Sequence, residues 1–263
     1  MTKYKAAYIL SHNGLGDNIT MIGAVKFLLL HYDTIYLLCK EKNVSNIKLL
    51  INNENVVIVP VANRNEKHTC NSMIKYVYNN EYTDIFICGP RNKDYLTSKI
   101  NNPAILNYSK NNKYDLLEGQ VDLNHVKIFY QDMNLDLSIY YDYFDIHSTE
   151  KSIALYEKIK DINIIFCHTQ SSTKTISLPE NIKTYINDNK YIIICANENI
   201  YNKNHAHFEI ANKFINIPVQ EYIDVIKNAC EIFLIDSCFS CIVHPLSVSN
   251  KLDTKKIEYY TRK

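Results

Sequence analysis

Ala6-Ala7-Tyr8-Ile9-Leu10-Ser11-His12-Asn13-Gly14-Leu15-Gly16-Asp17-Asn18 is the stretch that decides the fold. Its first five residues are apolar and uncharged, which reads as a short buried strand. Two glycines then fall within three positions, so the backbone turns tightly or approaches a ligand closely. An amphipathic run over 18–31 follows and reads as a helix, with Asp17 or Asn18 as its cap. Strand, loop, helix in an open α/β sheet puts the loop at the carboxyl edge of the strands, where ligands bind.

The same rhythm continues outward. Apolar runs at 34–39, 56–60, 84–88, 162–167, 191–196 and 231–235 read as further strands. Amphipathic stretches at 44–51, 69–78, 218–229 and 237–248 read as helices. Continuous apolar strands alternating with helices predict a parallel sheet covered on both faces, hence an α/β fold with Rossmann-like connections. Residues 90–150 break the rhythm: they are polar and rich in Tyr and Asn, with one helix near 122–133. Four strands before the break and three after it predict two α/β domains, 1–147 and 148–263, the second shortened. No fixed-period repeat is present.

Composition bounds the function. The chain has 263 residues, 46% hydrophobic and 22% charged, so disordered, collagenous and low-complexity classes are excluded. Lys+Arg 29 against Asp+Glu 28 leaves a net charge of +1. That is not the footprint of a nucleic-acid binder, and any anion site must be local. Trp is absent while Tyr numbers 21, a bias that reads as the drift of an AT-rich genome. The N-terminus lacks the long apolar core of a secretory signal. No apolar run is long enough to cross a bilayer, which leaves peripheral contact as the only membrane option. The eight scattered Cys read as buried thiols in a reducing compartment, with the cytoplasm expected.

The first loop admits three readings. It is a structural turn with an Asp cap, a dinucleotide loop, or a catalytic loop with Asp17 as general base and His12 as the rival base. The dinucleotide reading predicts NAD(P) binding and takes Glu41 as the ribose acid, but Ile19 occupies the third glycine position. No Gly-Lys-Ser/Thr follows, which excludes a P-loop.

Three later segments carry chemistry. Phe166-Cys167-His168-Thr169-Gln170-Ser171-Ser172-Thr173-Lys174, followed by Pro179-Glu180, is a Ser/Thr-rich loop after a buried strand. Ile193-Ile194-Cys195-Ala196-Asn197-Glu198 places a carboxylate just past a strand, where a ribose hydroxyl can donate to it. Glu231-Ile232-Phe233-Leu234-Ile235-Asp236-Ser237-Cys238 runs from strand into helix, and such a helix start favours phosphate. Cys238, Cys241 and His244 have ligand-like spacing, but no second Cys-x-x-Cys completes a zinc site, and the thioredoxin context is missing. His205 and His207 lack a partner carboxylate spacing as well.

Gly-Leu-Gly-Asp-Asn opening a helix resembles the N-terminal loop of the ADP-heptose:lipopolysaccharide heptosyltransferases, and the three later segments follow in that family's order. These are inverting family 9 glycosyltransferases of the GT-B fold. The resemblance implies two Rossmann-like domains facing a cleft, a nucleotide-sugar donor, a glycan or lipid-linked glycan acceptor, and no cofactor or metal. By resemblance Asp17 is the base, while Lys174, Glu198, Asp236 and Ser237 bind the donor. His12, Asn13, Gly14, Gly16, Asn18 and Thr169 would line the substrate loops. Two positions depart from the pattern: Cys238 replaces a glycine, and Cys241 stands where a His belongs. Those departures, with a length short for the fold, keep a second expectation open, a degenerate protein that binds a nucleotide or glycan without turnover.

Overall fold

The structure, a computed structural model, describes residues 4–11, 14–63, 66–77, 83–89, 93–100 and 124–260. Contacts divide the chain into two units, Met1–Asp145 and Ile146–Lys263.

The first unit runs β1 (Tyr4–Leu10), α1 (Leu15–Thr20), α2 (Ile22–Leu28), β2 (Tyr32–Lys40), α3 (Val44–Ile51), β3 (Val56–Val61), α4 (Glu66–Tyr76), β4 (Thr83–Ile87), α5 (Lys93–Lys99), α6 (Asn124–Asp132) and α7 (Ser138–Asp142). Its four strands are all parallel, in the order β3-β2-β1-β4. The register aligns Ile9 with Leu37 and with Phe86. Ala7, Ile9 and Leu10 of the central β1 are fully buried, which is why that strand reads as an unbroken apolar run. Each fully buried Leu or Ile contributes roughly 1.5–3 kcal/mol. Pro60 sits in β3, at the sheet edge, where its missing N–H breaks no interior ladder.

The helix expected over 18–31 begins earlier and breaks at Met21, giving α1 and α2. Tyr130 of α6 is the cause. Its fully buried hydroxyl donates to Thr20 O at 3.0 Å and accepts from Ala24 N at 3.1 Å. One side chain therefore satisfies the last turn of α1 and the first turn of α2. Gly23 lets α7 approach closely, since a Cβ there would lie 2.8 Å from the Ile139 carbonyl.

The second unit runs α8 (Glu150–Tyr156), β5 (Asn163–His168), α9 (Glu180–Lys183), β6 (Tyr191–Cys195), α10 (Phe208–Asn212), α11 (Ile223–Asn228), β7 (Glu231–Ile235), α12 (Ser240–Val248) and β8 (Lys256–Tyr260). Its sheet is again parallel, in the order β6-β5-β7-β8. The expectation of three strands is corrected here, because β8 makes a fourth, while the second unit remains the shorter of the two. Its sequence, Lys-Ile-Glu-Tyr-Tyr, alternates charge with apolar side chains on a half-exposed edge, so it lacks the buried-strand signature. The helix expected from 237 starts at Ser240, and Ser237–Phe239 form the turn that leads into it. The stretch 218–229 splits into a 3-10 turn, Val219–Tyr222, and α11.

Candidate functional site

Each unit has a point where the chain reverses its direction of travel across the sheet. In the first unit β2 and β3 lie on one side of β1, and β4 returns to the other. Loops leaving β1 and β4 therefore flank an open crevice.

Asp17 stands in the first turn of α1, and its Oδ2 accepts from Gly14 N at 3.1 Å. This oxygen performs the capping role. A Cβ on Gly14 would lie 2.5 Å from it, so a side chain there would push the carboxylate off the amide. Asn18 is fully buried: its Nδ2 donates to Gly14 O at 2.9 Å, and its Oδ1 has no partner among the described residues. Gly16 is half-buried inside α1. His12 and Asn13 lie outside the described residues. Ile19, where a dinucleotide loop wants glycine, is fully buried, and Glu41 is exposed in a 3-10 turn after β2.

Across the crevice are residues that the sequence did not single out. Gly89 follows β4 with φ 99°, a backbone region that glycine adopts without strain. Its N–H donates to Asp132 Oδ2 at 3.0 Å, and Lys93 pairs with Asp132 Oδ1. Burial pushes the Cys88 thiol well above its usual value. The carboxylates of Asp132 and Asp17 push it further, and Lys93 opposes them. One buried thiol thus lies within electrostatic range of all three charged groups. Asp132 and Lys93 carry no local sequence signal, since the contact spans the poorly patterned middle of the chain.

In the second unit β6 lies on one side of β5 and β7 on the other, so loops after β5 and β7 flank the reversal. Here His168 Nδ1 lies 2.8 Å from Ser237 Oγ. Ser237 is buried; its N–H donates to Ser240 Oγ at 3.1 Å, and its carbonyl accepts from Ser240 N. The His168 ring packs edge-on to Phe239 at 4.7 Å, and burial lowers its pKa to about 4. Asp236 Oδ1 accepts from Ser240 Oγ at 3.3 Å.

Thr169 joins the loop after β5 to the one after β6. Its N–H donates to Asn197 Oδ1 at 3.0 Å. Its hydroxyl accepts from Asn197 Nδ2 at 2.9 Å and donates to Glu198 Oε1 at 3.1 Å. The structure thus gathers Thr169 with Glu198, and Ser237 with Asp236 and His168. Asn197 and His168 complete these sets, and the sequence signal for both is a polar residue at the carboxyl end of a buried strand. Lys174 is half-buried in the turn of a small hairpin closed by the Gln170–Thr175 bridge. Ser171 N donates to Lys174 O at 2.7 Å, and Lys174 N donates to Ser171 Oγ at 3.0 Å.

The thiol and imidazole clusters have structural surroundings. The Tyr201 hydroxyl accepts from Ile193 N at 2.8 Å along the outer edge of β6, and His205 stacks on Tyr201 at 4.4 Å. His207 lies edge-on to the same ring at 5.7 Å, so these three residues cover a sheet edge. Cys241 Sγ donates to Ser237 O at 3.7 Å, and His244 is buried with its pKa lowered to about 4. All eight cysteines are free. Among the described residues no group of three or more His, Cys, Asp or Glu side chains is arranged to hold a metal ion, and no helix is long and apolar enough to cross a membrane.

No protein-family model matches this sequence, and no curated protein matches it either. Solved structures do. A family 9 glycosyl transferase from Veillonella parvula DSM 2008 matches with a TM-score of 0.60 at 12% identity, covering 100% of this chain and 88% of that one. ADP-heptose lps heptosyltransferase II of E. coli gives 0.53 at 11% identity, over 97% and 90% of the two chains. The E. coli heptosyltransferase WaaC with ADP gives 0.50 at 9% identity, over 98% and 91%. At such identities the likeness is one of fold: this chain has the two-domain, GT-B-like α/β fold of family 9 glycosyltransferases.

Proposed function

We propose that the chain is a glycosyltransferase that moves a sugar from a nucleotide-sugar to a hydroxyl of a glycan or lipid-linked glycan. The observation that carries the reading is the hydrogen-bonded set at the carboxyl edge of the second sheet. There Ser237, before α12, meets His168 at the end of β5, and the next residue Thr169 bonds Glu198 past the end of β6, within a fold shared along the whole chain with family 9 enzymes. The E. coli WaaC structure holds ADP, which supports a nucleoside diphosphate as the leaving group here.

The roles follow from charge. Asp17 accepts the acceptor's hydroxyl proton as that oxygen attacks the anomeric carbon, and direct displacement inverts the configuration there. Lys174 and the amide end of α12 stabilise the departing diphosphate, so the reaction is proposed without a metal. Glu198 accepts from the donor's ribose, and Asp236 steadies the turn at Ser237 through Ser240. The free cysteines support a reducing compartment such as the cytoplasm.

A second reading is favoured by Cys238, which bars the closest backbone approach at the start of α12, and by the capping bond already made by Asp17. It is a binding module that holds the nucleotide without turnover. One experiment separates the two. The chain is incubated with a panel of nucleotide-sugars, with and without glycan acceptors, and nucleoside diphosphate release is followed beside thermal shifts. Release that disappears in Asp17→Asn supports the enzyme. A nucleotide shift with no release supports the module, and a shift with NAD(P) alone overturns both.

A further inference from the structure

We propose that His168 is a positioning residue for the donor diphosphate, aiming the Ser237 hydroxyl proton at a phosphate oxygen. The inference rests on the donor seat described above and deepens it. His168 closes β5, Ser237 follows the neighbouring β7, and the two side chains meet at 2.8 Å across the chain reversal. The ring has little freedom. Phe239 packs on it at 4.7 Å and is itself held by Phe166 at 5.2 Å and Tyr222 at 5.3 Å.

The buried ring is neutral at physiological pH, so one ring nitrogen carries a proton and the other does not. The Ser237 hydroxyl has a single proton as well. Two arrangements satisfy the pair. In one, Ser237 donates to a bare Nδ1, and its proton is unavailable to a ligand. In the other, Nδ1–H donates to Ser237 Oγ, and the hydroxyl proton turns outward. A phosphate oxygen offers only acceptors, so diphosphate binding selects the second. His168 thereby couples its tautomer to occupancy of the donor seat, with no charge moved onto the ring.

The test uses ADP and UDP as probes on the full chain, by calorimetry and by ring 15N spectra of His168. Ser237→Ala and His168→Leu are each expected to weaken binding about tenfold. The double variant should be no weaker than either single one, because the two groups act as a unit. His168→Asn, whose amide N–H falls near the Nδ1 position, should restore binding to within about twofold. In the wild type, nucleotide should move Nδ1 to its protonated 15N shift. The proposal is overturned if folded His168→Leu binds as the wild type does, or if the two losses add. If His168→Leu does not fold, an Nδ1 shift unmoved by nucleotide overturns it. A wild type that binds neither nucleotide overturns the donor seat together with the proposal.

Discussion

The two chain reversals have the same topology and opposite means of holding their loops. In the first unit carboxylates grip backbone amides: Asp17 takes Gly14 N, and Asp132 takes Gly89 N and the Lys93 ammonium. In the second unit neutral groups do that work. Ser240 Oγ takes Ser237 N, Asn197 Oδ1 takes Thr169 N, and the His168 imidazole meets Ser237 Oγ. Carboxylates in the second unit bond hydroxyls instead, Glu198 to Thr169 and Asp236 to Ser240. A carboxylate crevice suits proton acceptance. A crevice tied by neutral dipoles leaves its helix start available to an anion. The division of labour proposed for the reaction follows from this contrast.

Asp17→Asn strikes the contrast hardest. The amide keeps an oxygen for Gly14 N but accepts no proton from an attacking hydroxyl. Turnover should fall about 10²–10⁴-fold. Nucleotide affinity should be unchanged, since the donor groups lie in the other unit. Wild-type turnover in this variant would mean that Asp17 is only a cap and that the first crevice supplies no base.

Acid should separate the units next. His168 and His244 both have pKa values lowered to about 4 by burial, and both belong to the second unit. The unfolded chain takes up their protons near pH 6.5, and the folded chain does so only near 4. Their contribution is therefore fully present above pH 6.5 and is lost as the pH falls from there toward 4. The loss is on the order of 3 kcal/mol per histidine. Amide exchange followed by mass spectrometry should show the second unit opening first over that window. Equal acid sensitivity in both units would refute the neutral character assigned to the second.

How far the sequence carried these features depends on whether the cause is local. Seven strands were readable as apolar runs, most clearly β1, β5 and β7, where successive residues such as Ile9 and Leu10, Ile165 and Phe166, and Phe233 and Leu234 are buried on opposite faces of a parallel sheet. β8 was not, because the charged Lys256 and Glu258 alternate with Ile257 and Tyr259 on a half-exposed edge. The break at Met21 was hidden because Tyr130, which causes it, lies more than a hundred residues away. The same holds at the sites. Gly14, Asp17, Thr169, Glu198 and Ser237 sit on recognisable strand-to-helix turns. Asp132, Lys93 and the partnership of His168 with Ser237 exist only because the sheet order brings distant segments together.

That helix break supplies a stability prediction. Gly23→Ala places a methyl 2.8 Å from the Ile139 carbonyl and 3.1 Å from that of Tyr140, both backbone atoms of α7. Overpacking of this kind costs about 1–3 kcal/mol. A lowered first-unit melting transition with the second unchanged is expected. No change would mean that α7 yields freely and that the packing beneath the first crevice is soft.

The smallest effect belongs to Asp132→Asn, and it separates the two roles of that carboxylate. The amide oxygen still accepts from Gly89 N, so the φ 99° turn after β4 persists. The ion pair to Lys93 is lost. Asp132 is 13% exposed but Lys93 is 45% exposed, so solvent screens the pair and its stability contribution is under about 1 kcal/mol. Turnover and melting temperature should both barely change, because the bond to Gly89 N survives. A marked fall in turnover at an unchanged melting temperature would show that the Lys93 pair shapes the first crevice. A large fall in melting temperature would instead make Asp132 a structural post, and the first crevice would then differ from the second in packing rather than in charge.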